Sequence, residues 1–288
     1  MALGELDWKD NITPLACGIK CAWKVTTVSK SYLEELRYMS NGLEALFEYE
    51  RGKCVGILNG IDTRVWDPET DSYLDDHYAV KTNTAGKKAN KEKLCKTFNL
   101  DPAKALIIFI GRLVGEKGAD LLPRAIADSL HYIGMKMSFL VLGSGEHWVE
   151  NQLSNLTGSL TGYFNSRIGY NEKLSHEMYA GADFLLMPSR VEPCGLNQLY
   201  ALRYGTIPIV RRTGGLKDTV KDYGEPGGYG ICFNQDAVGD ITHAVYRAVT
   251  LYDQVERMKS IRSQVMELDH SWDSAAQQYI DVYSGLKD

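Results

Sequence analysis

The chain has 288 residues, 44% of them hydrophobic and 24% charged, an ordinary globular composition with length for one large or two modest domains. Its 32 basic and 37 acidic side chains leave a net charge of −5, which argues against a nucleic-acid partner, because such partners select a basic stripe. No apolar run approaches the roughly 18 residues that span a bilayer, so no membrane partner is expected, and the first eight residues have neither the charged nor the apolar region of a signal peptide.

Residues 12–22 read as a helix of small and apolar residues, and the β-branched run at 25–29 as a strand. Ser29 or Ser31 can cap a helix over 32–38. Gly56-Ile57-Leu58-Asn59-Gly60-Ile61-Asp62 reads as a short strand broken at an Asn-Gly turn. Residues 66–78 are loop-like, and the Lys/Asn-rich stretch 81–93 reads as an exposed helix or a mobile connection. The pattern then becomes regular. Strands are expected at 105–110, 137–142, 160–164, 184–187 and 207–210, with helices at 119–130, 146–153, 173–180 and 196–204 between them. Helices at 237–251, 252–268 and 272–286 close the chain. Alternating βα units of this length predict an α/β fold, a doubly wound parallel sheet with helices on both faces. Ligands in such sheets sit at the carboxyl ends of the strands, and the turns that carry chemistry here lie at those ends.

Gly111-Arg112-Leu113-Val114-Gly115-Glu116-Lys117-Gly118 follows the first of these strands. It lacks the Lys-Ser/Thr pair of a Walker A loop. Arg112 and Lys117 stand five apart across a glycine-bearing turn, a spacing that can aim a planar fork and an ammonium at one diphosphate. The segment Val191-Glu192-Pro193-Cys194-Gly195-Leu196-Asn197-Gln198 places a carboxylate on a loop just before a helix start. A carboxylate accepts sugar hydroxyls and a helix start favours negative charge, so a sugar phosphate suits both. Cys194 has no histidine near it in sequence to activate it, and packing and backbone contact are its expected roles. Thr213-Gly214-Gly215-Leu216 forms a second glycine turn after a strand, with N–H groups suited to an anion nest. Tyr170, in Gly169-Tyr170-Asn171-Glu172, is a candidate wall for a base. His131, His176 and His243 lie in expected helices and read as structural. The six cysteines form neither a disulfide framework nor a zinc pattern. Cys17 and Cys21 share one helix face, and reduced thiols in a cytoplasmic protein are expected, or in a plastid if the source is a plant or alga.

These blocks, with Ile57-Leu58-Asn59-Gly60-Ile61-Asp62 and the Ser271-Trp272 helix, resemble the bacterial glycogen synthase and plant starch synthase family from about residue 15 to the end. The resemblance implies a two-domain retaining glycosyltransferase of the GT-B type, with this chain carrying its Rossmann-like nucleotide-binding domain. It implies transfer of glucose from ADP-glucose to the non-reducing end of an α-1,4-glucan, with UDP-glucose the alternative donor and no metal or other cofactor. By matching position, Arg112 and Lys117 would neutralise the leaving diphosphate and Glu192 would bind the donor glucose. Cys194, Gly195, Leu196 and Asn197 would contact sugar or phosphate, and Thr213, Gly214 and Gly215 would flank the site. Many related retaining transferases carry a second Glu eight residues after the first; here Tyr200 stands there, and the glycogen and starch synthase branch shares the absence of that Glu.

Family members begin with a domain that carries a Lys-x-Gly-Gly-Leu loop and a sugar-contacting His, and neither precedes residue 60 here. The expected division is therefore a remnant of the acceptor domain with its link at 1–60, a donor-binding domain at 61–270 and a crossover helix at 271–288. The expectation is half of a larger enzyme or a truncated product, whose partner is a missing N-terminal half or another chain. The competing reading is a non-catalytic module that binds nucleotide or glucan.

Overall fold

The computed structural model describes residues 7–9 and 11–286; the amino-terminal segment judged not to be a signal peptide lies largely outside the described residues. The first elements are small. A two-residue antiparallel pair, β1 (Asp7–Trp8) and β2 (Asn11–Ile12), precedes helix α1 (Pro14–Cys21). Strand β3 (Val25–Thr27) pairs in parallel with β4 (Cys54–Gly56), and α2 (Lys30–Leu36) and α3 (Glu44–Tyr49) run between them. Ser29 caps α2 by accepting the Tyr32 N–H at 3.1 Å, which satisfies one of the donors a helix start leaves open. Ala16, Ile19, Leu43, Leu46 and Phe47 form a separate small core here. The strand expected across 56–62 is only this β4, ending at Gly56. Beyond it the chain runs extended, tied by the Ile57 N–H to Thr27 O (2.8 Å) and by a bridge from Ile61 to Ser271.

Helix α4 (Asn83–Phe98) leads into the main sheet. Its chain order is β5 (Ala105–Ile110), α5 (Leu122–Ile133), β6 (Met137–Gly143), α6 (His147–Ser159), β7 (Phe164–Ile168), α7 (Glu172–Gly181), β8 (Phe184–Met187), α8 (Asn197–Arg203), β9 (Ile207–Arg211), α9 (Gly214–Thr219) and β10 (Ile231–Phe233). Helices α10 (Val238–Tyr252), α11 (Val255–Met266) and α12 (Trp272–Ser284) follow. The strands lie in the order β10-β9-β8-β5-β6-β7, and every pair is parallel. The chain winds outward from β5 through β7, then returns to the other side of β5 and winds outward again. This is the doubly wound order expected, and it reverses between β5 and β8, which makes the carboxyl ends of those two strands the place for a ligand.

Both faces of the sheet are covered. Along β5, Ile107 and Phe109 join the core beneath α5 and α10, while Leu106 and Ile108 join the core on the opposite face with residues of α4 and α7. Period-two alternation with every position apolar is the pattern of a strand buried on both sides. Each Ile, Leu or Phe so buried contributes about 1.5–3 kcal/mol.

Three further elements differ from the sequence expectation. The strand placed at 160–164 lies at Phe164–Ile168, because α6 continues to Ser159 and Leu160 still donates to Leu156 O at 2.9 Å. β7 is an edge strand, Phe-Asn-Ser-Arg-Ile, only partly buried after Phe164, and its three polar residues interrupt the apolar signal. β10 has three residues and follows a glycine-rich turn, too short to register as a strand. The helix over 83–98 is not an exposed one, since Lys87 and Lys91 are both buried. The Lys87 ammonium donates to the carbonyls of Tyr179, Ala180 and Tyr204 and to Thr206 Oγ1, all within 3.1 Å, at the C-terminal ends of α7 and α8. Burial pushes Lys87 well below the usual lysine pKa, while helix C-termini are where a cation is favoured. Lys91 pairs with Asp183 at 2.6 Å, and Arg262 pairs with the other oxygen of the same carboxylate.

Candidate active site

Two adjoining cavities lie at the switch point, the larger beside the loops after β5, β6 and β7 and the smaller between the loops after β5 and β8. The larger, about 360 Å³, runs from Gly111, Arg112, Gly143 and Ser144 on one side to Gly169, Tyr170, Asn171 and Glu172 on the other. Trp66, Tyr179, Tyr200 and Asn197 also line it. The smaller, about 210 Å³, is bounded by Lys117, Ser189, Glu192, Leu196 and Asn197. Ile110, Gly111 and Asn197 belong to both. Asn197 is pinned at this border by its Nδ2, which donates to Ile110 O at 2.6 Å.

The structure brings Lys117 and Glu192 together. Lys117 ends a one-turn 3₁₀ segment, Gly115–Lys117, and its Nζ lies 2.6 Å from Glu192 Oε2. Ser189 Oγ donates to the same oxygen at 3.0 Å. Glu192 is 6% exposed, so its charge is compensated by a cation and a hydroxyl, as a buried carboxylate requires. Arg112 sits apart from this pair. It lines the larger cavity, and its guanidinium is exposed and bonded to Glu116 at 3.0 Å.

The remaining candidates fall into two groups. Leu196, Asn197 and Tyr170 line the cavities, Tyr170 as an 87% exposed ring at the rim. Cys194, Gly195, Thr213, Gly214 and Gly215 line neither and lie behind the Glu192 loop. The Cys194 thiol is buried and accepts the Asn59 N–H at 3.4 Å; burial pushes its pKa up, the wrong direction for a nucleophile. The anion nest expected at Thr213-Gly214-Gly215 is filled from within. The Gly214 N–H and the Thr213 hydroxyl donate to Glu35 Oε1 at 2.7 and 3.0 Å, and the Gly215 N–H donates to Glu192 O at 2.9 Å. These glycines serve close approach: a Cβ on Gly214 would overlap the Glu192 carbonyl, and one on Gly215 that of Cys194. The amino-terminal elements hold this loop too, through Ser29 Oγ to Pro193 O at 2.6 Å.

An aromatic wall escaped the sequence reading. Trp66, in the segment read as plain loop, is sandwiched between His176 and Tyr200, each centroid 3.8 Å away and nearly parallel. His176 is fully buried, with Nδ1 2.7 Å from Asp71 Oδ2, which also accepts the Tyr204 hydroxyl at 2.5 Å. Burial alone would raise the Asp71 pKa, but these two donors hold it below the usual carboxylate value. The only sequence signal was Tyr200, already noted where related transferases carry a Glu.

Residues 90–264 match the family described as Glycosyl transferases group 1, and residues 1–49 match the one described as Starch synthase catalytic domain. The glycogen synthase of Flavobacterium johnsoniae is 52% identical over 98% of this chain and 59% of its own length. That of Treponema denticola is 41% identical over 98% of this chain and 58% of its own. The catalytic domain of starch synthase IV from Arabidopsis thaliana, solved bound to ADP and acarbose, superposes with a TM-score of 0.89 at 34% identity, over 96% of this chain and 58% of that one. The chain thus spans just under three-fifths of the length of these relatives. With more than half of its residues matched and its doubly wound sheet shared, the chain belongs to the glycosyl transferases group 1 family.

Proposed function

We propose that this chain is the donor-binding part of a glycogen or starch synthase, which transfers glucose from ADP-glucose to the non-reducing end of an α-1,4-glucan with retention. The observation that carries the reading is the meeting of Lys117 and Glu192 in one small cavity at the switch point, next to a larger cavity with aromatic walls. The relatives named glycogen synthase and the starch synthase solved with ADP support it. In this reading the base and ribose occupy the larger cavity, with Tyr170 at its rim, and the diphosphate lies toward Lys117 with Arg112 at the mouth. The glucose hydroxyls meet Glu192. Leu196 and Asn197 contact the phosphate or the sugar, while Cys194, Gly195 and the 213–215 turn shape the loop behind them.

The chemistry is electrostatic. Negative charge grows on the diphosphate as the anomeric C–O bond breaks, and a fixed ammonium in a partly closed cavity stabilises it. No metal or other cofactor is required in this scheme, and no enzyme nucleophile if the acceptor attacks from the face of the leaving group. We assign residues 1–60 to the acceptor-side domain and link, 61–270 to the donor domain and 271–288 to the crossover helix.

The test is incorporation of labelled glucose into glycogen from ADP-glucose and from UDP-glucose. It is run with this chain alone and with the remaining portion of a relative supplied. Transfer from ADP-glucose in the assembled protein is expected. ADP binding without transfer would favour a binding module, and neither would overturn the reading.

A further inference from the structure

Arg190 lines neither cavity, yet it joins the segments that build the smaller one. Its Nη1 donates to Gly115 O and to Asp120 Oδ1, both at 2.6 Å, and Nη2 donates to Asp120 Oδ2 at 2.8 Å. Its Nε donates to Asp236 Oδ2 at 2.8 Å. Four of the five N–H donors of a guanidinium are therefore committed to protein acceptors. The Arg190 backbone is used as well. Its N–H donates to Glu116 O at 2.8 Å, and its carbonyl accepts from Arg211 Nη1 at 3.2 Å.

The consequence falls on Lys117. The turn that ends at Lys117 begins at Gly115, whose carbonyl the Arg190 side chain holds; the Arg190 amide holds the next carbonyl, that of Glu116. Gly118, which closes the turn at φ +65°, packs so tightly on Pro188 that a Cβ there would overlap the Pro188 carbonyl. Two residues beyond Arg190 stands Glu192. Arg190 thus ties the turn that carries Lys117 to the loop that carries Glu192, the two partners of the 2.6 Å pair. Lysine could not replace it, since a single ammonium has no fork to span a carboxylate while also reaching Gly115 O and Asp236.

We propose that Arg190 is a positioning residue for the donor diphosphate: it fixes the Lys117 turn against the Glu192 loop and so sets where the ammonium enters the smaller cavity. This rests on the donor-site reading above. The test is a double-mutant cycle on the 288-residue chain, read by calorimetric titration with ADP. Arg190→Ala should weaken ADP binding about tenfold, and Arg190→Lys should recover only part of it. The variant Arg190→Ala/Lys117→Ala should bind no more weakly than Lys117→Ala alone, because the arginine acts through the lysine. A purely structural arginine would lower the melting temperature without this coupling.

Asp120→Asn, which keeps the arginine but weakens the fork, should reproduce a smaller loss and covers the case in which Arg190→Ala does not fold. Wild-type affinity in Arg190→Ala, in Asp120→Asn where the alanine variant fails to fold, or strictly additive losses in the cycle, would overturn the proposal. If Lys117→Ala itself binds ADP normally, the donor-site reading falls, and the role of Arg190 falls with it. If only Lys117→Ala is impaired, Arg190 alone is wrongly assigned.

Discussion

Lys117 and Glu192, 75 positions apart in sequence, form a 2.6 Å ion pair at the floor of the smaller cavity. The two groups proposed to hold opposite ends of the donor hold each other. A diphosphate approaching Lys117 must share it with the carboxylate, and sugar hydroxyls approaching Glu192 must share it with the ammonium. A complete donor offers both exchanges at once, an anion for the cation and hydroxyls for the carboxylate, so neither charge is left buried alone. ADP offers only the first.

That asymmetry separates the two roles of Glu192. Glu192→Gln keeps the shape of the side chain and removes the charge that competes for Lys117. ADP affinity should hold or rise, while turnover in the assembled enzyme should fall on the order of a hundredfold, the cost of losing an oriented polar contact at a developing charge. An ADP titration and a glucan-elongation assay on the same variant check this. Parallel losses in both would mean that Glu192 supports its loop and not the sugar.

Lys117 and Arg112 should not contribute equally. Lys117 is three-quarters buried at the smaller cavity, whereas the Arg112 side chain is 65% exposed and already paired with Glu116. A charge-assisted contact in the cavity is worth about 1.5–3 kcal/mol, while one at the exposed mouth is worth about 0–1 kcal/mol and is screened by salt. Lys117→Ala should therefore weaken ADP binding more than Arg112→Ala, and the effect of Arg112→Ala should fade between low and high salt. Calorimetry at two ionic strengths decides it; the opposite ranking would place the diphosphate nearer the mouth.

The elements around this site differ in how well their residues announce them. β5 and β8 are legible because their apolar runs are continuous and are punctuated at Gly111 and Pro188. β7 is not, because three consecutive polar residues, Asn165, Ser166 and Arg167, interrupt its apolar pattern at the edge of the sheet. Lys87 and Lys91 read as solvated charges, since no local pattern reveals that carbonyls at the ends of α7 and α8 converge on one ammonium. Lys117 and Glu192 were each legible as candidates from the turns that carry them, but their pairing was not. Trp66 against Tyr200 is a contact between a loop and a distant helix, and nothing in either segment points to the other. The glycine turn at 213–215 was legible as a cluster of free donors, whereas the acceptor that fills it, Glu35, comes from a helix near the start of the chain.

Glu35 gives the amino-terminal elements a direct grip on the donor domain. It caps the Gly214 N–H, and Ser31 donates its N–H and hydroxyl to Asp218 at 2.9 and 2.6 Å on the same short helix. Glu35→Ala should remove about 1 kcal/mol of local capping, so the Gly214 amide should exchange its hydrogen several-fold faster while amides of β5 are unaffected. Amide exchange followed by NMR tests it. Unchanged protection at Gly214 would show that the cap is dispensable.

The last prediction concerns acid stability. Asp222 ties the turn before β10 to the sheet: Oδ2 accepts the Cys232 N–H at 2.8 Å, and Oδ1 accepts from Gly224 N–H at 2.9 Å and Arg247 Nη2 at 2.6 Å. Partial burial would raise its pKa, but Arg247 and the two amides outweigh burial and hold it below the usual aspartate value. With the folded pKa depressed, the native state holds fewer protons than the unfolded chain as pH falls toward the folded pKa. The stabilisation is therefore complete above the unfolded pKa of about 3.9 and is lost as pH falls from there through the lower folded value. Asp222→Asn offers one acceptor where three donors converge, and it should cost about 1–2 kcal/mol at pH 7. Urea unfolding of both proteins should show a constant gap from pH 7 to about 5 that narrows below about 4. A gap of the same size at pH 3 as at pH 7 would mean that the loss comes from shape alone and that the Asp222 carboxylate is not held in its charged form by these partners.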